Sequence, residues 1–327
     1  MERLTFRNSR DLTLVGDLYP AAGDAAVIMA HGFMNDRHSD GRFPKIARAL
    51  NRAGYSALAF DFSGCGESDD DSLTAAKQVD DLQCAIALMR TRGFVRLALW
   101  GNSLGGRICL QADTAGIATL VLTGGGTGPV PYRWEDYFPA APMTELAQTG
   151  RMTIVHEGRS RGRIVIDRQM LADFAALDQP TLLGRLRCPV LVIHGDGDEE
   201  ERQLLALARQ GMAHLPAGSR LEVIPGAAHG FRGHLDRVIE LGVTWLARQM
   251  PAVRGLPRLA SQAGPRPKKR AVLLARPKFW EETPMRRSCE KRRCQGDRTA
   301  LSRNATYDPL VFRNQWSNCE NNMLISQ

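Results

Sequence analysis

A serine lies where the sequence predicts a sharp turn between a strand and a helix. The segment LALWGNSLGGRI, residues 97–108, places Ser103 between Gly101 and Gly105, after an apolar stretch and before a helix predicted over residues 106–113. A serine on such a turn is lifted clear of the sheet, and the tight backbone favours glycine on both sides. The N–H of Leu104 would then face negative charge that develops beside the hydroxyl. The same pattern occurs in loops where serine only caps a turn, so its interpretation depends on the rest of the chain.

A serine hydroxyl becomes a good nucleophile when a base takes its proton and a third group holds that base. Candidates for both roles follow two later predicted strands. Asp196 and Asp198 come after the strand at residues 190–193, and His229 comes after the strand at residues 221–224. Because ligand sites of parallel sheets gather at the carboxyl ends of the strands, we expect these groups to meet. The order serine, aspartate, histidine is that of α/β-hydrolases.

The elements that must position these residues alternate between strand and helix. Strands are predicted at residues 4–6, 12–19, 25–30, 56–62, 97–100, 118–122, 190–193 and 221–224, and helices at 43–53, 73–91, 106–113, 201–214 and 235–249. The first two strands are predicted to form a hairpin. The alternation that follows predicts an α/β fold with a mostly parallel central sheet and helices on both faces.

The alternating pattern is interrupted once and then ends. Residues 1–123 and 188–250 are interpreted as the catalytic domain, and residues 124–187, which include a predicted hairpin near 152–166, as a small inserted cap. Residues 251–327 are rich in Pro, Arg and Lys without hydrophobic periodicity, so we predict a disordered extension. Its basic clusters are consistent with a nucleic-acid-binding arm, but a solvated extension is the favoured interpretation.

Composition narrows the classes of partner. The chain has 43 basic and 35 acidic residues; 16 basic and 6 acidic residues follow Pro251, which leaves 27 and 29 before it. The catalytic domain is therefore not expected to bind nucleic acid. The N-terminus lacks the apolar core of a signal peptide and no membrane-spanning run occurs, so we predict a cytoplasmic protein without membrane contact. The odd, scattered set of seven cysteines indicates reduced thiols. Cys289 and Cys294 lack further zinc ligands, and we predict no metal or cofactor.

Five segments resemble the marks of the α/β-hydrolase superfamily, in the correct order, over residues 12–249. They are HGF at 31–33, DFSGCGES at 61–68, GNSLGG at 101–106, HGDGD at 194–198 and GAAHGF at 226–231. The short cap and the HGF segment further resemble carboxylesterases such as the cinnamoyl and feruloyl esterases, and the serine aminopeptidase-like hydrolases.

The resemblance implies residue roles. Ser103 would be the nucleophile and His229 the general base, with Asp198 as the triad acid because it matches the last position of His-Gly-x-x-Asp, and Asp196 as its competitor. The backbone N–H groups of Phe33 and Leu104 would form the oxyanion hole, which His31 would order. Residues 199–201 are three glutamates where many relatives have a Val-Pro pair. These extra carboxylates are expected to raise the pKa of His229 and to compete as its partner.

The sequence thus predicts a serine hydrolase that cleaves a small or medium carboxylic ester through an acyl-enzyme. Thioester hydrolysis, aminopeptidase or amidase activity and acyl transfer could use the same triad, and a non-catalytic ligand-binding protein is the alternative from another class. The expected partner is a small-molecule acyl compound, and the sequence does not fix an oligomeric state. Aromatic residues of the cap would line an acyl or aromatic pocket, or alternatively pack within the cap; they are Trp134, Tyr137, Phe138 and Phe174.

Overall fold

The computed structural model describes residues 1–155 and 161–252, and most of the predicted basic extension, with Cys289 and Cys294, lies outside them. Its main sheet has eight strands in the order β1-β2-β4-β3-β6-β7-β10-β11. These strands are β1 (Glu2–Arg7), β2 (Thr13–Tyr19), β3 (Ala25–Ala30), β4 (Ser56–Phe60), β6 (Arg96–Asn102), β7 (Ile117–Thr123), β10 (Val190–Gly195) and β11 (Arg220–Ile224).

The sheet is mostly parallel, as predicted. β1 pairs with β2 and β2 with β4 in antiparallel register, whereas every later pairing of the sheet is parallel. β3 is buried along its whole length, because a strand covered by helices on both faces exposes neither set of side chains to water. The expected opening hairpin is β1 and β2.

Helices cover the two faces of the sheet and divide the core into two layers. The described residues form the helices α1 (Arg42–Arg52), α2 (Ala75–Thr91), α3 (Leu104–Gln111), α4 (Ala140–Thr149), α5 (Arg168–Ala175), α6 (Gln179–Gly184), α7 (Glu199–Gly211) and α8 (Leu235–Gln249), of which α1, α2, α3, α7 and α8 pack on the sheet. Residues of α1 and α8 share one apolar cluster, and residues of α2, α3 and α7 contribute to the other. The predicted α/β fold, with a mostly parallel central sheet and helices on both faces, is confirmed.

The segment between β7 and β10 departs from the strand–helix alternation. It contains a 3₁₀ turn at Trp134–Asp136, the helices α4, α5 and α6, and an antiparallel hairpin of β8 (Arg151–Val155) and β9 (Arg163–Asp167). β9 also pairs with the two-residue strand β5 (Ser72–Leu73). Leu73 was predicted as the start of a helix, but α2 begins two residues later. The sequence also missed α6, although Asp178 caps its first turn and Pro180 lies within it.

A buried ionic network ties together the loops after β3 and β4. The guanidinium of Arg37 is fully buried, donates to Asp17 Oδ2 at 3.0 Å and to Glu67 Oε1 at 2.7 Å, and also contacts Asp61. The backbone N–H of Arg37 donates to Asp61 Oδ1 at 2.6 Å. Each buried charge therefore has a partner, which offsets the cost of removing it from water.

Candidate active site

The predicted serine turn has the expected geometry. Ser103 joins β6 directly to α3 with φ 51° and ψ −121°, a strained conformation for a residue that carries a Cβ. Its N–H donates to the carbonyl of Thr123 at 2.8 Å, which fixes the turn against β7. A Cβ on Gly105 would collide with the carbonyl oxygen of Ala30. The backbone therefore approaches its neighbour as closely as glycine alone permits, and Ser103 remains partly exposed.

The imidazole of His229 lies between the serine and a carboxylate. Its Nε2 is 3.0 Å from Ser103 Oγ and its Nδ1 is 2.6 Å from Glu201 Oε1. The imidazole is close enough to both groups to accept the hydroxyl proton on one nitrogen while it donates a hydrogen bond through the other. The structure thus brings Ser103 and His229 together, as the sequence predicted.

The carboxylate beside the imidazole is not the predicted one. Asp198 is the N-cap of α7: its Oδ1 accepts the N–H of Glu201 at 2.8 Å, and its Oδ2 accepts the backbone N–H of His229, also at 2.8 Å. Both oxygens therefore hold the backbone rather than the ring. The competitor Asp196 is exposed and accepts the N–H of Gly226 at 2.6 Å. The assignment of Asp198 as the group that orients the imidazole is wrong, and Glu201 occupies that position.

A local signal for this arrangement exists in the sequence. Asp198 and Glu201 have the spacing of a capping box, in which the N-cap side chain bonds the third helical residue. The predicted helix began at Glu201, whereas α7 begins at Glu199. With the start at Glu199, Asp198 is the N-cap residue, which the match to His-Gly-x-x-Asp does not reveal.

Glu201 is held on its other side by a second histidine. Its Oε2 is 2.8 Å from His194 Nδ1 and accepts the N–H of Gly195 at 2.8 Å. Burial alone would raise the pKa of the Glu201 carboxyl, but hydrogen bonds with His194 and His229 outweigh burial and lower that pKa to about 2. The carboxylate is therefore ionised and has partners for both oxygens.

The electrostatics of the imidazole follow from its carboxylate neighbours. Burial alone would lower the pKa of His229, but Glu200, Glu201 and Asp198 together raise it to about 9. The expectation that the extra glutamates raise this pKa is confirmed. Gly124, with φ +58°, lies beside the pair, and a Cβ there would be 2.9 Å from Glu201 Oε1 and 3.2 Å from the His229 ring.

The proposed oxyanion donors lie next to the serine turn. Leu104 is the first residue of α3, so its N–H has no acceptor within the helix. A Cβ on Gly32 would be 3.4 Å from Ser103 Cβ, so the backbone that leads to Phe33 passes beside the serine. His31 is buried, and burial lowers its pKa; its Nδ1 lies 2.8 Å from the Gly32 carbonyl and its Nε2 accepts the N–H of Phe62 at 3.2 Å. His31 is therefore neutral, and its two hydrogen bonds hold the backbone at Gly32 against Phe62.

The aromatic residues predicted from the cap form one cluster with Phe33. The ring of Phe33 lies 5.7 Å from Phe174 and 6.4 Å from Trp134, and Trp134 stacks on Phe138 at 6.0 Å. Tyr137 contacts the ring of Trp134 at 5.7 Å. The cluster thus begins at the loop that carries the proposed oxyanion donor.

Two residues of this region were not singled out from the sequence. The guanidinium of Arg107, buried on α3, lies 4.9 Å from the centre of the Phe174 ring and donates to the carbonyl of Phe174 at 3.2 Å. Burial lowers the pKa of Arg107 to about 10. The ring of Tyr132 lies 5.4 Å from Phe174 and 4.9 Å from Trp134, and its hydroxyl is 3.3 Å from Glu200 Oε1. Neither residue belongs to a short motif, so sequence alone gave no signal.

No group of three or more histidine, cysteine, aspartate or glutamate side chains within residues 1–155 and 161–252 is arranged to hold a metal ion. Across the same residues, the structure contains no helix whose length and apolar character would suffice to cross a membrane.

The sequence matches the alpha/beta hydrolase family over residues 27–241. Since this match covers more than half of the chain, the protein belongs to that family of hydrolases.

The chain is similar to a curated enzyme in sequence and to two solved structures in fold. The chain is 27% identical over 248 residues to the thiohydrolase apmlB of Arthrinium phaeospermum, a match that covers 72% of this chain and 68% of the relative. The fold is similar to that of the alpha/beta hydrolase GrgF from Penicillium sp. sh18, with a TM-score of 0.63 and 20% identity over 76% of this chain and 98% of that one. It is also similar to Est1E of Butyrivibrio proteoclasticus, solved with ferulic acid, with a TM-score of 0.58 and 20% identity over 75% and 98%.

Proposed function

We propose that this hydrolase cleaves small or medium carboxylic esters through an acyl-enzyme formed on Ser103. The observation that supports the proposal is the continuous hydrogen-bonded chain from Ser103 Oγ to His229 Nε2 at 3.0 Å and from His229 Nδ1 to Glu201 Oε1 at 2.6 Å. This arrangement supplies a nucleophile, a base and a group that stabilises the charged base.

In the proposed first step, His229 Nε2 takes the hydroxyl proton while Ser103 Oγ bonds to the carbonyl carbon of the ester. The negative charge then moves to the carbonyl oxygen, where the N–H groups of Leu104 and Phe33 would stabilise it. Removal of one such donor costs about 3 to 4 kcal/mol of barrier in comparable enzymes. When the tetrahedral intermediate collapses, the bond to the alcohol oxygen breaks and the imidazolium protonates that oxygen.

In the second step, water replaces the alcohol. His229 takes a proton from the water, the hydroxide oxygen bonds to the acyl carbon, and the bond to Ser103 Oγ breaks as the serine regains its proton. Glu201 remains ionised throughout, since its carboxylate stabilises the imidazolium without accepting its proton.

A fluorophosphonate probe tests the nucleophile. We expect the probe to label the wild-type chain and not Ser103→Ala, and the same variant to lose hydrolysis of p-nitrophenyl butyrate. Labelling that persists in Ser103→Ala would contradict the proposal.

A substrate panel tests the bond that is cleaved. Nitrophenyl esters, acyl thioesters and aminoacyl amides should be compared by kcat/KM, and we expect the esters to be the best substrates. The match to a thiohydrolase makes the thioester the informative competitor. If the amides were cleaved faster than the esters and the thioesters, the protein would be assigned as an amidase instead of an esterase.

A further inference from the structure

Glu200 is a third acidic side chain beside the proposed catalytic pair and has no role in the steps above. Its Oε1 lies 4.0 Å from His229 Nε2, the nitrogen that faces Ser103, whereas Glu201 holds the opposite nitrogen. Its side chain is 13% exposed. The carboxyl is thus on the side of the imidazole where the substrate must react.

The hydrogen bonding of Glu200 is incomplete. Its Oε1 accepts from the hydroxyl of Tyr132 at 3.3 Å, while its buried Oε2 has no hydrogen-bond partner within residues 1–155 and 161–252. Burying a carboxylate with too few partners costs free energy, which the positive charge of a bound molecule would offset.

Arg202 and Arg107 make their hydrogen bonds to groups other than the Glu200 carboxyl. Arg202 is directed to Glu199, at 3.0 Å, and to the Asp196 carbonyl, and Arg107 is engaged with the carbonyl of Phe174. Among the described residues, His229 is the one positively ionisable group within 4.0 Å of the Glu200 carboxyl. Burial raises the pKa of Glu200; the charge of His229 opposes this rise, and the charges of Asp198 and Glu201 add to it.

The carboxyl also adjoins the aromatic cluster. Tyr132, which donates to Glu200, packs its ring 4.9 Å from Trp134, 5.2 Å from Tyr137 and 5.4 Å from Phe174. A carboxylate next to several aromatic rings is the environment in which proteins bind ammonium groups, because the ring faces and the charge both attract a cation.

We propose that Glu200 is a specificity-determining residue that selects substrates with an ammonium group on the leaving-group side and disfavours those with a carboxylate there. The leaving group is the relevant side because His229 Nε2, which must protonate the departing oxygen, is the atom 4.0 Å from Glu200. The inference rests on the proposed esterase function and refines its substrate class.

Three butyrate esters whose alcohol parts differ in charge test this proposal. They are the choline ester, the 3,3-dimethylbutyl ester as its uncharged isostere, and the 3-carboxypropyl ester. For the wild type we expect kcat/KM to be roughly tenfold higher for the choline ester than for its isostere, as for a partly desolvated charge pair, and lowest for the anionic ester. In Glu200→Gln the ratio of choline ester to isostere should fall to within about twofold of unity.

Glu199→Gln is the matched control. Glu199 lies one residue away on the same helix, carries the same charge, is exposed and pairs with Arg202. We expect this variant to keep the wild-type ratio. An equal loss of preference in both variants would show that general surface charge, rather than Glu200, sets the selectivity, and would overturn the proposal.

A binding measurement separates this proposal from the esterase function. Choline should slow fluorophosphonate labelling of the wild type more than 3,3-dimethylbutanol does, and this difference should disappear in Glu200→Gln. Labelling with equal protection by both alcohols overturns the role of Glu200 and leaves the nucleophile in place. A wild type that is neither labelled nor active on the three esters overturns both proposals.

Discussion

Glu201, and not the predicted Asp198, contacts the imidazole ring of His229. Substitution of each residue therefore tests the site directly, because the two side chains have different roles. Glu201→Gln keeps the size of the side chain and removes its charge. Asp198→Asn keeps one oxygen that can cap α7, but its amide nitrogen cannot accept a second backbone N–H. The variant therefore loses one of the two hydrogen bonds from the N–H groups of Glu201 and His229, and none to the imidazole ring. The two variants should therefore differ strongly in activity.

The magnitude follows from the pKa of the imidazole. A rise of the His229 pKa from 6.5 to about 9 corresponds to about 3.4 kcal/mol of stabilisation of the charged ring, since each pKa unit is about 1.36 kcal/mol. Three carboxylates share this stabilisation, and Glu201 alone accepts a hydrogen bond from the ring. Glu200 raises this pKa most, and Glu201 adds a hydrogen bond and its charge, so loss of Glu201 alone removes part of the stabilisation and slows formation of the imidazolium by about tenfold. Loss of the correct tautomer extends the effect toward about 10⁴-fold, as in serine proteases.

The assay is kcat for p-nitrophenyl butyrate, with thermal unfolding measured in parallel. We expect kcat of Glu201→Gln to fall by at least about a hundredfold. That of Asp198→Asn should stay within about tenfold of wild type, because the variant loses a hydrogen bond to a backbone N–H and none to the imidazole. If Asp198→Asn lost as much activity as Glu201→Gln while remaining folded, Asp198 would be the functional acid and the geometry described above would not be the catalytic one.

Three further predictions concern the pH response and the stability of the site. The raised pKa of His229 should place the rise of kcat/KM near pH 9, where the imidazole becomes neutral. The contribution of the charged ring to stability is present below pH 6.5 and should be lost as pH rises through about 9. A pH–rate profile measures the first effect and urea unfolding at several pH values the second; a rise of kcat/KM centred near pH 6 would refute this pKa. Gly124→Ala should destabilise the protein by about 1 to 2 kcal/mol because of its positive φ and lower kcat by crowding Glu201, whereas Gly126→Ala, which has ordinary contacts, should do neither. Arg37→Ala should destabilise by about 3 to 5 kcal/mol in urea unfolding, because it leaves the buried Asp61 carboxylate without its cation, whereas Asp17 keeps Arg3; a loss below about 1 kcal/mol would show that the network is not needed.

Much of the fold could be predicted because its signals are local. The apolar run at Ala25–Ala30 is β3 residue for residue, and the closing helix at Leu235–Gln249 is α8. The serine turn was also predictable, since its glycines are required by backbone contacts close to Ser103.

The parts that failed depend on contacts between distant segments or on the exact start of a helix. Ser72–Leu73 becomes a strand only because β9, more than ninety residues later, pairs with it. Likewise, a run of carboxylates from Asp196 to Glu201 does not itself reveal which of them faces the imidazole. Which carboxylate faces the imidazole depends on where α7 begins and on His194, whose Nδ1 forms a hydrogen bond with Glu201 Oε2.

The position of Glu201 within a helix has a consequence for mutations far from the reactive groups. The side chains of Leu204, Leu205 and Ala208 hold α7 against the core. The position of this helix therefore determines the distance between the Glu201 carboxylate and the His229 imidazole. Trimming one of these apolar anchors would let the helix settle differently and lengthen a contact that is now 2.6 Å. The turnover rate would then fall in variants whose substituted residue contacts neither Ser103 nor His229. The packing of α7 would thus affect the rate of the reaction.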